Sequence, residues 1–430
     1  MNLDVFNQGF KVFREEGLKA LIQKAKIFCI NKRNENSSKE KTASDLINNR
    51  FRNIQKIPSF FCPTNDGKRI NLVTDSIESH SLLGGVATAI IFATMLSKQW
   101  QVPLRVITRT TPPNARNFKK ILSLLSIDIP NNIEFYSDYD RDFFGDKVNK
   151  LDVHEEDIFI ATSWWSAEAI RKTTIKKEFI YIIQEVEQFF YDYGDEHLLC
   201  SQLMKEKDII FIVNSKWLYD YFTMNEKNIA ENGVYFHPSF SNSLFTPIFE
   251  KRKEKYQLFF YARPNNSRNL FYYGVNVINR AINEGIIDIS EWDINFVGQG
   301  VPEFTFDNGY KCNIIGQLEW KEYAKFLESI DLAISLMYTP HPSYPPFDVL
   351  MAGGVVLTNR FMNKQEIDWS KNVILSELNE EDMMKNIKIS VEMAKNSQIR
   401  KSNFEESQIP QNWTLSFVES IKYCEDRLNV

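Results

Sequence analysis

The chain has 430 residues, which suits two domains of ordinary size, and 43% of them are hydrophobic, enough to fill a core in each. A formal net charge of −5 argues against nucleic acid as a partner. The five cysteines and five histidines are scattered without a CxxC pair or ligand spacing, which argues against a disulfide framework and a structural zinc, and leaves reduced thiols in a cytoplasmic protein as the expectation. No apolar run approaches the roughly 20 residues that span a bilayer, and residues 1–17 lack the uninterrupted apolar core of a signal peptide.

Residues 1–31 place Phe6, Phe10, Phe13, Leu18, Leu21, Ile22, Ala25 and Phe28 at helical spacing. Over residues 1–42, nine Lys/Arg stand against five acids. A basic amphipathic helix of this kind either lies on an anionic membrane or packs on protein. A polar linker follows over 31–42. From Arg69 onward the pattern alternates. Strands are predicted over 70–74, 104–108, 133–136, 157–162, 179–184 and 209–214, with helices between them. A second series of strands is predicted over 258–261, 294–297, 313–315, 332–336, 355–358 and 373–375. Apolar strands alternating with helices indicate parallel sheets covered on both faces. Two such series predict an α/β protein of two doubly wound, Rossmann-like domains facing across a cleft. The boundaries fall at 1–66 (helix and linker), 67–245, 246–412 and 413–430, the last a helix returning to the first domain.

Ligands of such sheets bind at the carboxyl ends of strands, so the strand-end segments carry the candidates. Gly84 and Gly85 precede a helix and form either a tight turn or a close approach to sugar or phosphate oxygens. Trp164, Trp165 and Glu185 follow two strands and suit sugar stacking and hydroxyl contacts, although the tryptophans are equally plausible as packing. In the second series, Arg263 and Arg268 share one loop, where two guanidinium forks can converge on a diphosphate. Gly298, Gln299 and Gly300 follow the next strand, but the third glycine and the acid of a dinucleotide fingerprint are absent. Gly316, Gln317, Leu318 and Tyr323 stand where a base pocket would form. The segment Tyr338–Asn359 is the most distinctive of all. Its four prolines over 340–346 surround His341, Ser343, Tyr344 and Pro345, and Asp348 stands at a helix N-terminus as a cap or a hydroxyl acceptor.

Taken in order, these strand ends resemble GT-B glycosyltransferases of the retaining group. Ala262-Arg263 and Arg268-Asn269 stand where that group has G-R-x-x-x-x-K-G, and Val297-Gly298-Gln299-Gly300 matches its V-G-x-G. Its E-x7-E motif falls on Pro340 to Asp348, so only the second acid is kept. The PHPSYPP, RNLF, SWWSA and QEVEQFF segments resemble WsaF-type rhamnosyltransferases of bacterial surface-glycan assembly. The resemblance implies transfer of L-rhamnose from a dTDP-L-rhamnose donor to a growing, often lipid-linked, glycan. It gives Arg263, Arg268 and Asp348 the catalytic part and the Gly298–Pro345 segments the donor. Gly84, Gly85, Trp164, Trp165 and Glu185 face the acceptor. No metal is required, because the arginines replace it. Asp75, His80 and Glu185 are candidate bases if the reaction inverts. The location implied is cytoplasmic, with residues 1–30 as a possible contact to the inner face of the plasma membrane. Pro340 in place of the first acid keeps a non-catalytic glycan-binding or scaffold module open as the alternative.

Overall fold

The computed structural model describes residues 42–63, 67–79, 81–82, 84–137, 150–176, 178–250, 254–316 and 318–429. The amphipathic helix expected over 1–31, and the candidates His80 and Gln317, lie outside the described residues. Among the described residues no helix is long and apolar enough to cross a membrane.

Among the described residues, fifteen strands form two large parallel sheets and one small one. They are β1 (Ser59–Phe61), β2 (Ile70–Thr74), β3 (Leu104–Thr108), β4 (Ile133–Ser137), β5 (Leu151–Val153), β6 (Ile158–Ala161), β7 (Phe179–Ile183), β8 (Ile209–Asn214) and β9 (Gly233–Phe236) in the first half. The second half supplies β10 (Tyr256–Tyr261), β11 (Trp292–Val297), β12 (Asn313–Ile315), β13 (Leu332–Ile334), β14 (Val355–Asn359) and β15 (Val373–Ser376). The first sheet runs β4-β3-β2-β6-β7-β8-β9 and the second β12-β11-β10-β13-β14-β15, every neighbour parallel. Strands β2, β3, β7 and β8 are buried along their whole length, as parallel strands covered by helices on both faces must be.

The strand order decides where a ligand can sit. In the first sheet it reverses between β2 and β6, in the second between β10 and β13. Loops leaving the two strands at a reversal diverge to opposite faces and open a crevice at the carboxyl edge. The two crevices face each other. The closing helix Trp413–Leu428 packs on the first domain, with Phe417 inserted between Phe92 and Phe236 at ring separations of 5.0 and 4.6 Å. The chain thus crosses between the domains twice, near residue 245 and again near 410.

Candidate active site

Between the sheets lies a cleft of about 470 Å³. Its second-domain wall is built from successive strand ends. The loop leaving β10 supplies Arg263 and Arg268, that leaving β11 supplies Gly298 and Gln299, and that leaving β12 supplies Gly316 and Leu318. Tyr323 comes from the helix Trp320–Leu327. The loop leaving β13 supplies His341, Ser343, Tyr344 and Pro345, and Asp348 follows in the first turn of the helix Pro345–Met351. The first-domain wall holds Gly84, Gly85 and Glu185.

Three expected contacts are not in this wall. Trp164 is 1% exposed and lies in the core beneath β7, its indole N–H donating to Tyr191 Oη and its backbone N–H to Glu187, both at 2.8 Å. Trp165 turns the other way and donates to the Asp75 carboxylate at 2.8 Å. The two rings meet edge to face at 6.2 Å, and neither lines the cleft. Gly300 packs against the Asn265 side chain at the edge.

Tyr344 joins the two walls. Thr88 Oγ1 donates to the Gly84 carbonyl, and the Tyr344 hydroxyl lies 2.8 Å from Thr88 Oγ1 and accepts from Asn214 Nδ2 at 2.7 Å. Gln184 extends the chain, donating to the Gly85 carbonyl at 2.7 Å. Gly84 has φ +65, and a Cβ there would lie 3.0 Å from the Tyr344 ring. Its lack of a side chain is what lets the second domain come so close. Thr88, Gln184 and Asn214 were not anticipated as individual contacts, although Gln184 and Asn214 end strands already marked as candidates.

The charged groups are unusually buried. Asp348 is held up to about 8 by burial, against the pull of the Tyr323 hydroxyl that donates to it at 3.3 Å. It therefore keeps its proton at neutral pH and offers a neutral carboxyl to a ligand. Glu185 is raised to about 6, again by burial, with Arg268 opposing. Its carboxylate lies 3.2 Å from Arg268 and accepts from Thr339 Oγ1 at 3.1 Å. Arg268 itself stands 4.0 Å over the Phe190 ring. Lys364, in the turn after β14, is fully buried and pulled down to about 7 by desolvation. No periodicity or strand end marks it in the sequence; a lone lysine in a turn reads as solvated. Among the described residues no group of three His, Cys, Asp or Glu side chains is placed to hold a metal ion.

Gly298 is the tightest point of the second-domain wall. Its N–H donates to Ile315 O while Ala262 N–H donates to Val297 O, which pins three strand ends together. A Cβ at Gly298 would lie 1.7 Å from the Ala262 carbonyl oxygen. Gly298→Ala is expected to cost about 3 kcal/mol or more of unfolding free energy in urea, at the upper end for overpacking. A loss below about 1 kcal/mol would mean that the β10–β11 contact yields more easily than its geometry allows.

The family model described as the WsaF N-terminal domain matches residues 69–216, and that described as the WsaF C-terminal domain matches residues 256–388. The O-antigen biosynthesis protein RfbC of Myxococcus xanthus is 26% identical over 228 residues, which take in 51% of this chain but only 17% of that protein. Among solved structures, TarM of S. aureus in complex with fondaparinux, alpha-GlcNAc-glycerol and UDP superimposes with a TM-score of 0.58 at 10% identity, over 85% of this chain and all of that one. Sucrose-phosphate synthase of Thermosynechococcus elongatus gives 0.57 at 11% identity, over 84% and 100%. At such identities the likeness is one of fold, two Rossmann-like domains facing across a cleft in the GT-B arrangement. Matched in order by both domain models across about two thirds of its length, the chain belongs to the WsaF family.

Proposed function

We propose that this protein is a glycosyltransferase that moves a sugar from a nucleotide-sugar onto a growing surface-polysaccharide acceptor, with L-rhamnose carried by dTDP-L-rhamnose as the donor. One observation carries the reading: Arg263 and Arg268 both line the cleft beside the Gly298 loop, at the strand reversal of the second sheet. Glycosyl transfer leaves negative charge on the departing diphosphate, and fixed guanidinium groups stabilise that charge where it develops. In this scheme they take the part that a metal ion plays elsewhere. The sugar passes through an oxocarbenium-like state, and the neutral Asp348 carboxyl, backed by Tyr323, is the group that addresses its hydroxyls. The acceptor, a glycan or lipid-linked glycan, lies against Gly84, Gly85 and Glu185. The name of the Myxococcus xanthus relative, an O-antigen biosynthesis protein, and the UDP bound to TarM are in keeping with such partners. The cytoplasmic face of the membrane, reached through residues 1–30, is the location that goes with a lipid-linked acceptor.

The test is a panel of nucleotide-sugars. dTDP-L-rhamnose is expected to raise the melting temperature more than UDP- or GDP-sugars, and a glycan acceptor then gains one deoxyhexose by mass spectrometry. No shift with any nucleotide-sugar would overturn the reading, and glycan binding without nucleotide binding would point to a scaffold instead.

A further inference from the structure

In the cleft wall, Glu185, Arg268 and His341 share one neighbourhood, where Thr339 Oγ1 donates both to the Glu185 carboxylate and to the His341 carbonyl. The Arg268 guanidinium lies 3.2 Å from Glu185. Lys364 Nζ donates to the Met337 carbonyl at 3.0 Å and stands within electrostatic reach of both Glu185 and His341. His341 is 6% exposed, and its Nδ1 accepts from the Ser343 N–H at 3.1 Å. That contact depends on Ser343 holding a φ of 70°, a conformation few serines adopt. Burial, with Lys364 and Arg268 nearby, pushes the imidazole down to about 3, so it is neutral. A neutral ring whose Nδ1 accepts carries its proton on Nε2. That N–H meets no acceptor among the described residues. A buried donor left without an acceptor is costly and calls for an explanation, and because His341 lines the cleft a ligand is the partner that the geometry offers.

Arg268 is a fixed cation, Lys364 with its ammonium lowered to about 7 carries part of a charge at neutral pH, and His341 adds an orphaned N–H, so one carboxylate does not exhaust the donors gathered here. The carboxylate, moreover, belongs to the other domain: Glu185 follows β7, whereas Arg268 and His341 follow β10 and β13. We infer that Arg268, His341 and the Lys364 charge behind them form an anion subsite, filled in the free protein by the Glu185 carboxylate and taken over by the sugar-bearing phosphate of a nucleoside diphosphate-sugar. The inference rests on the function proposed above and deepens it. Glu185 is a resident competitor. It holds Arg268 and keeps the domains together until the donor arrives, and its displacement frees a carboxylate on the acceptor side. Other charges face the pair from each neighbouring element. Arg263 and Tyr261 lie on the β10 side of Arg268, Glu187 acts on Arg268 from beyond β7, and Asp75 faces Glu187.

The experiment measures dTDP-L-rhamnose affinity by calorimetry for the full chain, Glu185→Gln and Thr339→Val. The diphosphate of a nucleotide-sugar has no ionisation between about pH 5 and about pH 8, so the ligand's charge is constant. At about pH 7.5 Glu185 is ionised, and Glu185→Gln is expected to bind on the order of tenfold more tightly, the scale of one close charge pair. Glu185 takes up a proton as the pH falls through about 6. Wild type then resembles the glutamine variant, and the gap is expected to close by about pH 5. Lys364, lowered to about 7 and held up in part by Glu185, titrates in the same interval and does so differently once Glu185 is replaced, so the comparison is repeated with Lys364→Met in both proteins, where the gap is still expected to close by about pH 5. Thr339→Val, which keeps the carboxylate but removes one hydrogen bond holding it, gives a smaller gain in the same direction and decides the matter if the glutamine variant does not fold. Tight wild-type binding with no gain in either variant, or a gap that is the same at both pH values, overturns the subsite and leaves the proposed function standing. No binding of any nucleotide-sugar by wild type or variants overturns both.

Discussion

Replacing Arg268 with alanine is expected to remove the melting-temperature rise given by dTDP-L-rhamnose and to lower kcat by about 10²- to 10³-fold, the cost of deleting one fixed donor from a site of developing charge. The free variant is expected to melt below wild type while remaining folded, because truncation leaves the buried Glu185 carboxylate without its cation. Once it is gone, Glu185 loses its nearest cation, its carboxyl rises further above about 6, and it resolves the strain by taking up a proton. Loss of ligand stabilisation with an intact fold is therefore the signature. Arg263→Ala is expected to weaken the same response less, because Arg263 is exposed and held only by a long contact with Tyr261 Oη, at 3.5 Å, among the described residues. An Arg268→Ala protein that still transfers sugar at nearly the wild-type rate would remove the diphosphate role from this side chain.

Much of the arrangement was legible before any coordinates, and the reasons are physical. Parallel strands buried on both faces must be apolar along their length, so β2, β3 and β8 are legible to the residue. β9 was missed because only Phe236 of its four residues is buried, an edge strand without the apolar signature. The pattern extends β13 by two residues because Ser335 and Leu336 are as buried as a strand while already beyond its end. Loops at strand ends could be assigned to the site because topology alone puts them there. What could not be read was the direction of a side chain within a helix, which separates Trp164 from Trp165, and the company kept by Lys364. Its burial depends on Glu185 and Met337, respectively 179 and 27 positions away in the chain.

A buried arginine remote from the cleft is expected to give the largest loss of stability. Arg400 is 2% exposed and donates to Asp331 Oδ1 at 2.7 Å, and to the carbonyls of Ile248, Gly353 and Ala394 at 2.8 to 3.0 Å. Asp331 precedes β13 and Gly353 ends the helix Pro345–Met351, so one guanidinium ties both ends of the segment that carries His341, Tyr344 and Asp348. Ile248 belongs to the crossing between domains, which the same side chain anchors. Arg400→Ala would leave the Asp331 carboxylate buried without its cation and would strip three carbonyls of a donor. Removal of one partner from such a pair costs about 3–5 kcal/mol, measured here by urea unfolding. The double change Asp331→Asn with Arg400→Leu is expected to recover part of that loss, because no charge is then left buried. If Arg400 acts only as a clamp, a saturating nucleotide-sugar adds the same increment of stability to Arg400→Ala as to wild type, since the increment depends on ligand concentration and affinity alone. A smaller increment would mean that the clamp sets the shape of the donor wall as well as its persistence.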